Sequence, residues 1–234
     1  MKVLPVAILA GGLGTRIQSV SKGLPKSLMK FSGKPFLEWQ LQLLEKNKCK
    51  DVIICLGHKS DLIKSYLDSR PKSKLNIKLS FDGNYSLGTG GALVNARKHL
   101  GKAFLVLYGD SYLSVDFSEV SEYFLSIKKS GLMTVLKNDL NSEPSNVYFR
   151  NKLVLQYDKI NKNDKMKYID YGLSAFKSDS LSTFNADKFL DLSMIINNLA
   201  IQKQLAGYEV FERYYEVGSK QGAKNFEELS KELL

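Results

Sequence analysis

Short apolar runs alternate with amphipathic helical patterns through the first half of the chain, and this alternation constrains the fold more than any other feature. The apolar runs are VAIL, DVIICLG, LNIKLSFD and AFLVLYGD, and the helical patterns between them are PFLEWQLQLLEKN, SDLIKSYLDS and TGGALVNARKHL. Strands that alternate with helices predict a mostly parallel sheet with helices on both faces. The second helix begins with Ser60 and Asp61, which predicts that one of them is its N-cap.

The pattern changes at about residue 130, where short strands follow one another through tight turns. These segments are LMTVLKN, SNVYFRN, KLVLQYDK and YIDYGLSAFK. They predict a mixed, largely antiparallel extension beside the parallel sheet. The chain has no internal repeat and no linker rich in Pro, Gly or Ser. We therefore expect one α/β domain over residues 1–234, with two lobes that meet near residue 130.

Composition limits the class of protein and the cellular compartment that we expect. The chain has 234 residues, of which 44% are hydrophobic, so it is long and apolar enough to bury a core. No apolar run approaches the roughly 20 residues that a membrane-spanning helix needs. We also expect no signal peptide, because the N-terminal residues lead directly into the first apolar run. We therefore expect a soluble cytoplasmic protein with no membrane partner. Cys49 and Cys55 form no CxxC pair and are expected to be inert, buried thiols.

The formal net charge of +10 indicates anionic partners. The lysines are dispersed, with no basic run of five or more and no interleaved aromatic residues on which bases would stack. A small phosphorylated molecule is therefore favoured over nucleic acid.

The loop after the first apolar run carries the first candidate site. The segment VAILAGGLGTRIQSVSKGLPKSL contains Gly11, Gly12 and Gly14, and then the cations Arg16 and Lys26. Small residues let successive backbone N–H groups point at one anion, and the start of a helix adds a partial positive charge. A plain strand-to-helix turn with surface cations is the alternative interpretation.

The same segment resembles the signature of the sugar-1-phosphate nucleotidyltransferases, G-G-x-G-T-R-L followed by a variable gap and P-K. The resemblance continues through GKPFLEWQLQLLEK, DVIICLGHKSDLIKSYL, LGTGGALVNA and FLVLYGD, and weaker matches are YDK, IDYGLSAF and YYEVGSKQG. Several motifs in one order are more specific than a single glycine loop.

This resemblance implies a Rossmann-like α/β/α sandwich and a reaction. In the family, a phosphate oxygen of a sugar 1-phosphate attacks the α-phosphorus of an NTP, pyrophosphate leaves, and Mg²⁺ is required. Residues 1–130 would mainly bind the nucleotide and residues 131–234 the acceptor. Arg16 would hold the departing pyrophosphate and Lys26 the phosphates at the reacting centre. The implied nucleotide-binding residues are Leu9, Ala10, Gly11, Gly12, Gly14, Thr15, Gly88, Thr89 and Gly90.

Two acids are the predicted metal ligands. Asp110 ends an apolar strand, where a carboxylate has no role in a core. Mg²⁺ favours one or two carboxylates together with phosphate oxygens. The family usually supplies a second acid as Asp in a late motif, and Glu216 in YEVGS stands at that position. Asp82, Asp116 and Asp170 are competing candidates.

The acceptor residues implied by the resemblance lie in the second lobe. Lys159 matches a family lysine that contacts the sugar phosphate, although the usual following proline is absent. Asp170 and Gly172 match a common N-x-G pattern, with Asp in place of Asn. Asp170 is therefore expected to accept a hydrogen bond from an acceptor hydroxyl or from a cationic amine.

Among the subtypes, the chain is most similar to the D-glycero-D-manno-heptose 1-phosphate guanylyltransferases, whose product serves surface polysaccharide. One alternative is a cytidylyltransferase that acts on a small non-sugar phosphate such as phosphocholine. Another is a catalytically silent protein that senses a nucleotide sugar. The sequence leaves the base, the sugar and the oligomeric state open.

Overall fold

The computed structural model describes residues 3–12, 14, 17, 23–71, 73–83, 85–139 and 144–234. The strands within these ranges are β1 Val6–Leu9, β2 Lys30–Phe31, β3 Lys34–Pro35, β4 Asp51–Leu56, β5 Asn76–Phe81, β6 Ala103–Tyr108, β7 Ser111–Leu113, β8 Gly131–Lys137, β9 Val147–Arg150, β10 Leu153–Tyr157, β11 Tyr168–Lys177, β12 Leu205–Val210 and β13 Tyr214–Glu216. The helices are α1 Phe36–Lys46, α2 Ser60–Ser69, α3 Gly88–Leu100, α4 Phe117–Ser126, α5 Leu192–Ile201 and α6 Lys220–Glu232, with short 3₁₀ turns at Lys26–Leu28 and Ser178–Leu181.

The central sheet has nine strands in the order β5-β4-β1-β6-β11-β8-β12-β10-β9. Strands β5, β4, β1 and β6 are parallel, as the alternating pattern predicts. Strand β11 then pairs antiparallel with both β6 and β8, whereas β12 lies parallel to β8. The predicted α/β class with a mixed extension in the C-terminal half is confirmed.

The two faces of the sheet carry separate apolar layers, because alternate residues of a strand point to opposite faces. In β1, Val6 and Ile8 belong to one buried cluster, together with residues of α1, α2 and α4. Ala7 and Leu9 belong to the other, together with residues of α3 and α5. A third cluster joins α1 to α6 around Phe226. The fold is therefore a three-layer α/β/α sandwich.

Two local predictions have different outcomes. The helix at Ser60–Ser69 forms, but the predicted Ser or Asp cap is wrong, because Lys59 is the N-cap in a left-handed conformation with no side-chain capping bond. Cys49 and Cys55 are both free and buried, and burial raises the pKa of each thiol to about 12. This agrees with inert thiols.

No helix in the described ranges has the length and apolar character needed to cross a membrane.

Candidate active site

A cleft of about 1400 Å³ runs along the carboxyl ends of the parallel strands and onto the mixed half of the sheet. Open α/β sheets bind ligands at this edge. The cleft contains most of the sequence-predicted residues, namely Leu9, Ala10, Gly11, Gly12, Gly14, Lys26, Gly88, Thr89, Asp110, Lys159, Asp170 and Glu216. Gly90 and Gly172 are not part of its wall. Thr15 and Arg16 lie outside the described residues.

Lys26 and Asp110 form an ion pair at the centre of the cleft. The Lys26 Nζ lies 2.9 Å from Asp110 Oδ2, and the two side chains are 18% and 27% exposed. The 3₁₀ turn at Lys26–Leu28 presents the lysine, and the end of β6 presents the carboxylate. Charge-assisted bonds of this kind are short and directional. The pair therefore holds a cation and an acid side by side on the cleft wall.

Glu216 reaches the same place through a two-stranded pairing. β13 pairs antiparallel with β7, so Glu216 lies opposite Ser111, and the Val217 N–H donates to the Asp110 carbonyl at 2.9 Å. Glu216 Oε2 accepts from the N–H groups of Gly218 at 2.5 Å and Ser219 at 3.0 Å. These bonds orient the carboxylate at the start of α6.

Gly218 lies against all three of these charged groups. A Cβ at this position would lie 2.7 Å from Asp110 Oδ2, 3.0 Å from Glu216 Oε2 and 3.2 Å from Lys26 Nζ. The two carboxylates are therefore close neighbours around one small space. The described residues contain no cluster of three or more His, Cys, Asp or Glu that could hold a metal. Two acids fit Mg²⁺, which takes its other ligands from water and substrate phosphates.

The glycine loop after β1 owes its shape to a close backbone approach. A Cβ on Gly11 would lie 2.9 Å from the Gly57 nitrogen, and a Cβ on Gly57 would lie 2.9 Å from the Gly11 oxygen. Neither residue can therefore carry a Cβ while the loops after β1 and β4 lie this close together. Around Gly12 the space is open: apart from Gly12 and its chain neighbours, no atom of the described residues lies within 4 Å of the place that a Cβ would take.

The start of α3 is engaged by the segment before α5. The N–H groups of Gly90 and Gly91 donate to the Leu190 carbonyl at 2.8 and 3.0 Å. Thr89 Oγ1 accepts from the Leu192 N–H at 2.8 Å and donates to Asp191 Oδ2 at 3.2 Å. Gly90 is buried against Leu190 and Asp191 and is not part of the cleft wall. Gly88 and Thr89 remain on the cleft wall.

Asp170 lies in the other half of the cleft, where two tyrosines hold it. Its Oδ2 accepts from the hydroxyls of Tyr108 at 2.9 Å and Tyr157 at 3.1 Å, and its Oδ1 accepts from the Gly172 N–H at 3.1 Å. Burial raises the pKa of Asp170, and the positive charge of Lys159 opposes that rise. The Lys159 Nζ lies 5.6 Å from the centroid of each tyrosine ring. Lys159 and Asp170 therefore line this end of the cleft, together with the rings of two tyrosines.

Two of the competing candidates for the metal ligands, Asp82 and Asp116, lie in different surroundings. Asp116 caps α4 by accepting from the N–H groups of Ser118 and Glu119, and it is not in the cleft. Asp82 is half-buried in the cleft wall beside Gly57, and burial raises its pKa. Asp82 thus lies on the cleft wall, where it accepts a hydrogen bond from the Leu87 N–H at 3.3 Å, and Asp116 has a capping role.

Sequence reasoning did not predict that the Tyr108 and Tyr157 hydroxyls donate to Asp170. It also did not predict that the Gln40 side-chain amide donates to the Tyr108 and Ser111 carbonyls. The tyrosines do carry a weak signal, because each stands at the last position of a strand, two residues before Asp110 or Lys159. Gln40 carries none, because it is one glutamine within an amphipathic helix.

Comparisons with known proteins identify a matching family, a curated relative and similar solved structures. Residues 6–148 match the family model described as Nucleotidyl transferase. The D-glycero-alpha-D-manno-heptose 1-phosphate guanylyltransferase of Campylobacter jejuni is 29% identical over 211 residues, which are 89% of this chain and 85% of that protein. The crystal structure of HddC from Yersinia pseudotuberculosis has a TM-score of 0.82 and 25% identity, covering 97% of this chain and 99% of that chain. The structure of HddC complexed with GMP-PN has a TM-score of 0.79 and 26% identity, with the same coverage.

Proposed function

This chain belongs to the nucleotidyl transferase family, and we propose that it transfers GMP from GTP to D-glycero-D-manno-heptose 1-phosphate. An oxygen of the sugar phosphate would attack the α-phosphorus of GTP, the bond from that phosphorus to the β-phosphate oxygen would break, and pyrophosphate would leave. The convergence of Lys26, Asp110 and Glu216 in one cleft carries this proposal. The relatives named above support the choice of guanine and heptose.

The residues of the cleft would act by alignment and charge neutralisation, which account for most of the catalysis of phosphoryl transfer. Lys26 would neutralise oxygens at the reacting phosphate, and the loop of Gly11, Gly12 and Gly14 would admit the nucleotide close to the backbone. We assign the pyrophosphate to Arg16 on the family motif alone. GDP-heptose made in this way would serve surface polysaccharide.

Asp110 and Glu216 are the residues that would hold Mg²⁺. When bound, the cation would offset negative charge on the phosphates during the transfer. Lys26 already compensates part of the charge of Asp110, and the N–H groups at the start of α6 already orient Glu216. The two acids are therefore preorganised by the chain itself.

Asp82 is our candidate for reading the base. A carboxylate accepts hydrogen bonds only, and guanine offers adjacent N–H donors at N1 and N2 that cytosine and uracil lack. We expect Asp82→Ala to lower kcat/KM for GTP about tenfold, with little change for CTP or UTP, because hydrogen bonds to charged groups are worth roughly 1.5–3 kcal/mol. Steady-state kinetics with each NTP measure this change. Asp61→Ala, at an exposed acid of α2, is the control, and an equal loss with every NTP would refute a role in base selection.

Asp170 is our candidate for holding the acceptor. We expect Asp170→Ala to raise the acceptor KM about tenfold or more, because it also leaves two tyrosine hydroxyls without their partner. Asp170→Asn should lose less with a sugar, since an amide oxygen still accepts from hydroxyls. Kinetics with the acceptor varied, together with GTP binding by calorimetry, separate the two substrates. Asp164→Ala, at an exposed acid outside the cleft, is the control. A change in GTP affinity alone would contradict the assignment.

The proposed function is tested by a panel of four NTPs against phosphorylated acceptors, with pyrophosphate release as the readout. The acceptors are D-glycero-D-manno-heptose 1-phosphate, mannose 1-phosphate, glucose 1-phosphate and phosphocholine. We expect GTP with the heptose phosphate to give the highest kcat/KM. Highest turnover of CTP with phosphocholine would establish the cytidylyltransferase instead. Nucleotide-sugar binding without turnover of any pair would establish a silent sensor.

A further inference from the structure

Gln40 is a buried polar side chain on a helix face that is otherwise apolar. It is 0% exposed, and its neighbours Leu37 and Leu41 pack into the sheet while Trp39 packs towards α6. Burying an amide costs free energy unless its polar atoms are hydrogen-bonded. Apolar packing therefore does not account for a glutamine at this position.

The side-chain amide of Gln40 holds both ends of the turn that carries Asp110. Its Nε2 donates to the Tyr108 carbonyl at 2.9 Å and to the Ser111 carbonyl at 2.8 Å. An amide nitrogen has two hydrogens, so both are used. The two carbonyls flank Gly109 and Asp110. One side chain thus spans the residues that place the carboxylate.

Two main-chain bonds complete the restraint on this turn. The Gly109 N–H donates to the Leu9 carbonyl at 3.1 Å, and the Val217 N–H donates to the Asp110 carbonyl at 2.9 Å. These bonds tie the turn to β1 and to the segment that follows Glu216. Gln40 adds the tie to α1.

The same helix also holds the segment that carries Lys26. The Phe36 N–H donates to the Met29 carbonyl at 2.8 Å, and Trp39 Nε1 donates to the Phe31 carbonyl at 3.0 Å. Helix α1 therefore makes hydrogen bonds both to the segment that follows Lys26 and to the turn that carries Asp110. Its position bears directly on the distance from Lys26 Nζ to Asp110 Oδ2.

The side-chain oxygen of Gln40, Oε1, lowers the stability of the fold. Within the part of the chain that the structure describes, no donor reaches Gln40 Oε1, although this atom is buried. An unsatisfied buried acceptor is destabilising. The amide is thus kept at a cost at its oxygen, while its nitrogen supplies the donor that the Tyr108 and Ser111 carbonyls would lose with an apolar side chain.

We propose that Gln40 is a positioning residue that sets the Asp110 carboxylate against Lys26 and Glu216. This inference rests on the proposed function, because the geometry matters only if these groups take part in a transfer. Misplacing a reacting group by 1 Å can lower a rate about 10²-fold. Loss of the two bonds should therefore lower kcat much more than it changes substrate binding.

The first test compares Gln40→Leu with Gln42→Leu on the same helix. Among the described residues, the Gln42 side chain hydrogen-bonds to Glu38, one turn earlier, and Gln42 is not part of the cleft wall. We expect Gln40→Leu to lower kcat between 10-fold and 100-fold with both KM values within threefold, and Gln42→Leu to match the parent protein. Hydrogen–deuterium exchange of the peptide over residues 108–113 should accelerate in Gln40→Leu only.

The second test uses Gln40→Glu and does not depend on the first variant folding. A carboxylate would face two carbonyl oxygens with no proton to donate, whereas the protonated acid donates one hydrogen bond. Burial raises the pKa of such an acid. The ratio of Gln40→Glu activity to parent activity should therefore rise at least fivefold from pH 8 to pH 6, in measurements made well below the unfolding temperature of each protein.

The outcomes separate this inference from the proposed function. Parent-like kcat and parent-like exchange over residues 108–113 in Gln40→Leu, or parent-like kcat in Gln40→Glu at both pH 6 and pH 8, would overturn the role of Gln40. A parent protein that turns over no NTP, with faster exchange over residues 108–113 in Gln40→Leu, would overturn the proposed function and leave the hold on the turn established.

Discussion

Replacement of Lys26 by Ala is expected to lower kcat by at least about two powers of ten. The ammonium lies 2.9 Å from Asp110 Oδ2 and is mostly buried in the cleft. Its loss removes a fixed positive charge beside the reacting phosphate and leaves the carboxylate without its partner. Single preorganised electrostatic donors are typically worth about 10²–10³ in rate. Steady-state pyrophosphate release at saturating substrates measures the effect.

Lys30→Ala is the matched control for this prediction. Lys30 lies four residues further along the chain, is exposed and is not part of the cleft wall. We expect its kcat to stay within twofold of the parent value, because the charge of Lys30 is exposed and is screened by solvent and salt. If Lys26→Ala behaves like Lys30→Ala, the lysine has no role in the transfer.

Removing the charge of Asp110 should have the largest effect of any substitution considered. Asp110→Asn keeps the shape of the side chain but removes the charge that would hold Mg²⁺ and that pairs with Lys26. A metal supplies several kcal/mol of stabilisation, and each ~1.4 kcal/mol is a tenfold change in rate. We therefore expect kcat to fall by about a thousandfold or more, measured as pyrophosphate release over a range of Mg²⁺ concentrations.

Glu216 should behave as the second member of the same site. Glu216→Gln is expected to lose most activity, whereas Glu216→Asp keeps the charge and should retain part of it with a higher Mg²⁺ requirement. Mn²⁺ binding followed by electron paramagnetic resonance gives a readout that does not depend on turnover. Asp116→Asn is the control, because Asp116 caps α4 away from the cleft. A harmless Glu216→Gln together with an inactive Asp116→Asn would mean that the wrong acid has been assigned.

The local pattern of apolar residues was sufficient to predict the α/β architecture. The period of the apolar residues predicted the strands and helices of the first half, because a strand or helix shows its buried face within a few residues. The order of these elements then predicted the parallel sheet and the edge at which Gly11 and Asp110 lie. Caps were less predictable, as Lys59 shows at the start of α2. Cap choice depends on how the chain enters a helix as well as on the residues there.

The sequence by itself determined the fold class and the candidate set of Lys26, Asp110 and Glu216. Only the tertiary structure decided which of the candidates meet, because residues that are 84 positions apart come together through sheet order and through the β7–β13 pairing. The same long-range packing placed the Gly90 N–H against the Leu190 carbonyl and gave Asp170 two tyrosine partners. It also placed Gln40 under the Asp110 turn. These contacts join segments that no local periodicity relates, so they follow from packing and not from pattern.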